Sequence, residues 1–161
     1  MARRTKEDQI KLKESYDEAI MNIFIRDGWS KVTYDNVAKE LGIANKSRLQ
    51  YHYRSRADFG GALAGKIEPM LKDVLDYSTV KRFEKSWLVE IEKPDSLFLK
   101  VVALLVHETT QDNPSHLSTS GFLHFSHNVN LHFGTLDPFH KMLGVTLVYI
   151  NQQATKPDIS F

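Results

Sequence analysis

Apolar residues recur along the first half of the chain with helical spacing. Tyr16, Ala19, Ile20, Ile23 and Phe24 fall at i, i+3, i+4, i+7 and i+8, one stripe on a helix expected from Thr5 to Asp27. Gly28 follows, where a left-handed helix stop is expected. After the connector "WSKV", Thr33 is a good N-cap, and Val32 before it can pack on Val37 as a hydrophobic staple. The next helix is short: Val37, Ala38 and Leu41 face inward and Gly42 stops it. Asn45 is placed to cap a third short helix running from Lys46 to His52. Ser55, with Asp58 three residues on, resembles a capping box that opens a fourth. That helix carries Phe59, Leu63, Ile67, Met70, Leu71, Val74 and Leu75; Gly60, Gly61 and Gly65 weaken it and Pro69 should bend it.

The back half is less regular. A helix is expected from Val80 to Glu92, ending before Lys93-Pro94, and Asp95 or Ser96 then caps an apolar helix reaching Thr110. "QDNPSH" reads as a loop, residues 116–133 are rich in Phe and His, and Pro138 begins a last helix to Gln153. The runs "VVALLV" and "TLVYI" fit strands by propensity as well as helices by context.

The chain has 161 residues, 42% of them hydrophobic and 25% charged, which suits an ordinary folded protein. It has no cysteine, so disulfides and cysteine-ligated zinc are excluded. The start "MARRTKEDQIKLKE" lacks the apolar centre of a secretory signal, and "VVALLV" is far too short to cross a bilayer. A soluble, cytoplasmic protein with no membrane partner is expected. Charge is uneven: 13 basic against 9 acidic residues up to Lys66, net +4, and 8 against 11 after it, net −3. A basic front half suits a polyanionic partner.

The front half ends in "LGIANKSRLQYHYRSR", where cations alternate with aromatics. Two short helices joined at a glycine make a helix-turn-helix, whose second helix reads DNA. The wider stretch "AIMNIFIRDGWSKVTYDNVAKELGIANKSRLQYHYRSRADF" resembles the DNA-binding head of the TetR/AcrR family of bacterial regulators, over residues 10–75. The likeness rests on Phe24 to Gly28, on Thr33, on "VAKELGI", on "YHY" at 51–53 and on "SRADF". Between Gly42 and Tyr51 the chain carries one residue more than that family's usual spacing. The resemblance implies an all-α fold: a three-helix head over residues 1–56, then a connecting helix and a C-terminal effector-binding and dimerisation bundle over 57–161. It implies double-stranded operator DNA, a second copy of the chain and a small-molecule effector as partners, with repression as the default and no cofactor. The stretch after residue 75 is short for such a bundle, which leaves open a reduced bundle or a truncated chain.

Arg48 and Gln50 are the candidates for base edges; Lys46, Ser47, Tyr51, His52, Arg54 and Arg56 suit the phosphates or their surroundings. Thr33 and Tyr34, at a helix N-terminus, can donate to another phosphate. Arg3 and Arg4 are candidates for an arm in an adjacent groove, and Leu49 and Tyr53 read as core. For an effector pocket the candidates are Trp87, Phe98, His107, Phe122, Phe125 and His127, a mostly aromatic set with a few polar donors; ordinary core packing explains these aromatics nearly as well. His107, His116, His124, His127, His132 and His140 offer metal ligands, so a metal-sensing regulator is the alternative, although no HxxxH or HExxH pattern occurs. A helical enzyme or an interaction module without a DNA role is more distant. There is no GxSxG, P-loop or GxGxxG, and the adjacent Ser115-His116 and His107-Glu108 pairs carry no catalytic geometry.

Overall fold

A computed structural model describes residues 5–71, 73–112 and 116–155, and the elements among them are all helical. Arg3, Arg4, Ser115 and the His116 side chain lie outside the described residues. Helix α1, Lys6–Asp27, starts at Thr5, whose hydroxyl accepts from the Asp8 amide while the Asp8 carboxylate accepts from the Thr5 amide. It buries Tyr16, Ala19, Ile20, Ile23 and Phe24, the stripe its spacing dictates. Gly28 ends it with φ +83° and ψ 174°, a conformation that belongs to glycine but is not the left-handed helical stop expected. A 3-10 turn, Trp29–Lys31, leads to α2, Tyr34–Glu40, and then α3, Ser47–His52.

The expected fourth helix is not continuous. Ser55 and Asp58 do cap a helical start, but it is a 3-10 turn, Arg56–Phe59. Helix α4, Gly60–Leu63, stops at Ala64 and Gly65, where φ of Gly65 is +70°, and α5 resumes at Ile67–Leu71. The break therefore lies at the glycine and not at Pro69. Pro69 sits in the first turn of α5, where no amide hydrogen bond is lost.

Helix α6 spans Val80–Glu92 behind a Thr79 cap, and α7 spans Leu97–Thr109 behind Ser96, whose hydroxyl accepts from the Leu99 amide at 3.0 Å. Helices α8, His116–Phe133, and α9, Asp137–Ala154, follow one another across Gly134 and touch. "VVALLV" and "TLVYI" lie within α7 and α9, so both are helical. Gly121 lets α8 approach α7: a Cβ there would come within 3.2 Å of Leu105 Cδ2.

Two apolar cores result. One joins α1 to α4 around Phe24, Leu49 and Phe59; the other joins α6 to α9 around Phe83, Trp87 and Phe139. Helix α7 serves both, giving Val101 and Leu104 to the first and Phe98 and Val102 to the second. No helix among the described residues is long and apolar enough to cross a membrane.

Candidate nucleic-acid interface

Helix α2 begins and ends on local devices that fix the direction of the chain into α3. Thr33 Oγ1 accepts from the Asn36 amide at 3.2 Å, and Val32 and Val37 are both fully buried behind it. At the far end Gly42 takes φ +64°. Its amide donates to Lys39 O at 3.1 Å and the Ile43 amide donates to Ala38 O at 2.9 Å, the paired bonds of a Schellman stop. Asn45 Oδ1 then accepts from the Ser47 amide at 2.8 Å, but the cap position of α3 is Lys46, one residue later than expected, and it makes no side-chain cap bond.

Helix α3 is held from behind at two points. Leu49 is fully buried, and Tyr53, just past the helix end, is buried against Phe59 with ring centroids 5.0 Å apart. The Tyr53 hydroxyl donates to Asp17 on α1, and the Tyr34 hydroxyl donates to the Tyr53 carbonyl at 2.6 Å. Burial first, then the bond and charge of Asp17, raises the Tyr53 hydroxyl far above the usual tyrosine range, so it stays protonated. Burial also raises Tyr34, with Asp58 adding to the effect.

These bonds divide the expected contact residues. The side chains of Arg48, Gln50 and Arg54 are exposed and make no hydrogen bond or ion pair among the described residues. Tyr51 is 82% exposed, its ring standing edge-on to His52 at 5.3 Å. His52 is half-buried, edge-on to Tyr16 at 5.4 Å. Lys46 pairs with Asp35 across the turn, an exposed contact of the kind worth at most about 1 kcal/mol and open to exchange for a phosphate. Ser47 is exposed, and Thr33 stands half-exposed at the α2 N-terminus.

Tyr34 and Arg56 belong elsewhere. The single Tyr34 hydroxyl proton is committed to Tyr53, which joins the start of α2 to the end of α3. Arg56 reaches back to the turn before α2: Nε donates to Val32 O at 3.0 Å, Nη2 donates to Trp29 O at 2.6 Å, and the guanidinium lies 5.3 Å from the Trp29 ring centroid. Tyr34 is half-buried; Arg56 is exposed, with its guanidinium bonded to the two carbonyls and lying against the Trp29 ring. The structure adds Gln9 and Leu12 of α1, which with Ser47, Arg48, Tyr51 and His52 line an open groove of about 270 Å³. Their signal was present in the sequence, since Gln9, Leu12 and Tyr16 sit at i, i+3 and i+7 on one α1 face.

The aromatic residues expected at an effector pocket form a packed cluster. Trp87 stacks on Phe125 at 5.3 Å and meets Phe98 edge-on at 5.0 Å; Phe139 touches both Phe122 and Phe125, at 5.3 and 5.1 Å. The Trp87 indole N–H donates to Thr146 Oγ1 at 2.8 Å, and the Thr146 hydroxyl donates on to Met142 O. The rings fill this space with their own contacts. His107 and His127 are exposed and outside the cluster. No three potential metal-ligating residues come together among the described residues. No protein-family model matches the chain, and no curated protein matches it either.

Proposed function

We propose that the chain is a sequence-specific DNA-binding regulator whose α3 enters the major groove of duplex DNA. The observation that carries this reading is the outward face of α3. Arg48, Gln50, Tyr51 and Arg54 are exposed around a helix held from behind by Leu49 and Tyr53. Arginine and glutamine are the side chains that read guanine and adenine edges bidentately, and unpaired cations beside them suit phosphates. A solvated surface helix would be expected to pair more of its cations locally.

Helix α3 has only six residues, so one copy covers few base pairs. The reading therefore includes a homodimer through α8 and α9, which sets two recognition helices about 34 Å apart on successive major grooves. It also includes repression relieved by a small molecule. That molecule would bind the C-terminal helices by opening the Trp87 cluster, and it must favour the released state to have any effect.

Selection of bound sequences from a random duplex pool tests the proposal. Enrichment of one inverted repeat, with half-sites about 10 base pairs apart or a multiple of that, is the expected result. A pool that stays random through repeated rounds would refute it.

A further inference from the structure

Residues 33–56 hold two carboxylates, Asp35 and Glu40, against Lys39, Lys46, Arg48, Arg54 and Arg56. Glu40 is answered from α1. Its two oxygens accept from the Arg26 guanidinium at 3.2 and 3.1 Å, and that bond holds its carboxyl below the usual range. Asp35 is answered from the other side of the turn. It stands in the first turn of α2 with its side chain 74% exposed, and it pairs with Lys46, the residue just before α3.

Helix α3 does not account for Lys46. The side chain makes no cap bond, and a cation at a helix start has the sign that the helix dipole disfavours. It is half-exposed, and its one ion pair among the described residues is the pair with Asp35. Arg48 and Arg54 follow on α3 and just after it, exposed and without an ion pair among the described residues. A cation beside two such arginines suits a phosphate, and here a carboxylate already occupies it.

We infer that the Asp35 carboxylate stands in for a DNA phosphate at Lys46 and so restrains binding to duplex of any sequence. The inference rests on the reading of α3 above. Sequence-independent binding comes from cations that neutralise phosphates, whereas base edges are read by other side chains. A phosphate that takes Lys46 must displace Asp35 and then lie beside the freed carboxylate. Both effects fall on every duplex alike, because no base enters into them. Arg48 and Gln50 are not part of the pair, so sequence preference is left as it is.

Equilibrium binding of the full chain to the selected duplex and to a scrambled one, at one salt concentration, tests this. The variants are D35N, D35E, K46Q and D35N/K46Q. Asp35 is exposed, so neither substitution there disturbs a core. D35N should bind both duplexes about fivefold more tightly than wild type, the size of one exposed ion pair. D35E keeps the carboxylate and should bind as wild type does. The gain should need Lys46, so that D35N/K46Q stays within about twofold of K46Q.

A D35N no tighter than wild type, where wild type prefers the selected duplex, overturns the inference and leaves the reading of α3 standing. A gain of equal size with and without Lys46 overturns it too, since the gain then comes from net charge and not from the pair. So does a gain confined to the selected duplex. If no sequence is selected, a random duplex still decides: a gain there that needs Lys46 upholds the restraint while the sequence-specific reading falls. Wild type and D35N that both fail to bind any duplex overturn the two together.

Discussion

Arg56 and Arg48 are both arginines of the basic stretch, yet they do opposite work. Arg56 holds two backbone carbonyls, at Trp29 and Val32, and covers the Trp29 ring. Replacing it with alanine leaves those carbonyls without their cation and should cost about 1–3 kcal/mol in denaturant unfolding. Arg48→Ala should leave stability within about 0.5 kcal/mol of wild type, because no intramolecular bond of Arg48 is lost. Equal destabilisation by the two would contradict this division. Tyr53 gives a pH-dependent test at the same scale. Its hydroxyl is raised by burial and by Asp17, so the folded state holds this proton more tightly than the unfolded chain does. The resulting stabilisation is present below the unfolded tyrosine pKa of about 10 and declines as pH rises above it. Tyr53→Phe should flatten that alkaline decline, as read from unfolding midpoints across pH. The contribution of Arg56 was not legible in the sequence, because its partners are backbone carbonyls 24 and 27 residues away. The buried positions of Leu49 and Tyr53 were legible, because they interrupt a polar stretch at helical spacing.

The fourth helix of the sequence reading shows what periodicity leaves out. Phe59, Leu63 and Ile67 do fall at helical spacing, but the chain leaves the helix at Gly65, with φ +70°. A left-handed glycine depends on what the flanking segments pack against, which no local pattern records. Gly65→Ala should therefore destabilise by about 1–2 kcal/mol through backbone strain alone, since a Cβ there meets nothing within 4 Å. Pro69→Ala should be close to neutral. Thermal melts of the two single mutants decide; a stabilised Gly65→Ala would show that a continuous helix is accessible. Helix α6 was legible from end to end, because Thr79 caps it and Pro94 follows it. "VVALLV" was ambiguous because a run without polar positions has no period to read. With the fourth helix broken, α7 supplies a firmer link between the two cores. Trp29 Nε1 donates to the buried Glu108 carboxylate at 3.0 Å, and Lys100 Nζ donates to Ile25 O and Arg26 O at 2.6 and 3.0 Å. Trp29→Phe should cost about 1–3 kcal/mol by stranding that carboxylate, whereas Glu108→Gln keeps an acceptor and should cost less.

Across the whole molecule, α7 divides its apolar residues between two cores, so a displacement of α7 in one core must disturb the other. An effector that opened the Trp87 cluster would move Phe98 and Val102, which share α7 with Glu108 and Lys100. The central claim, that α3 reads DNA, is tested most directly by salt-dependent binding to a selected duplex and to a scrambled one, for wild type, Arg48→Ala and Arg54→Ala. Arg48→Ala should lose about 1–3 kcal/mol on the selected duplex and little on the scrambled one. Arg54→Ala should weaken both and lower the slope of log affinity against log salt by about one unit. If Arg48→Ala binds the selected duplex as tightly as wild type, α3 does not read its bases and the account is wrong.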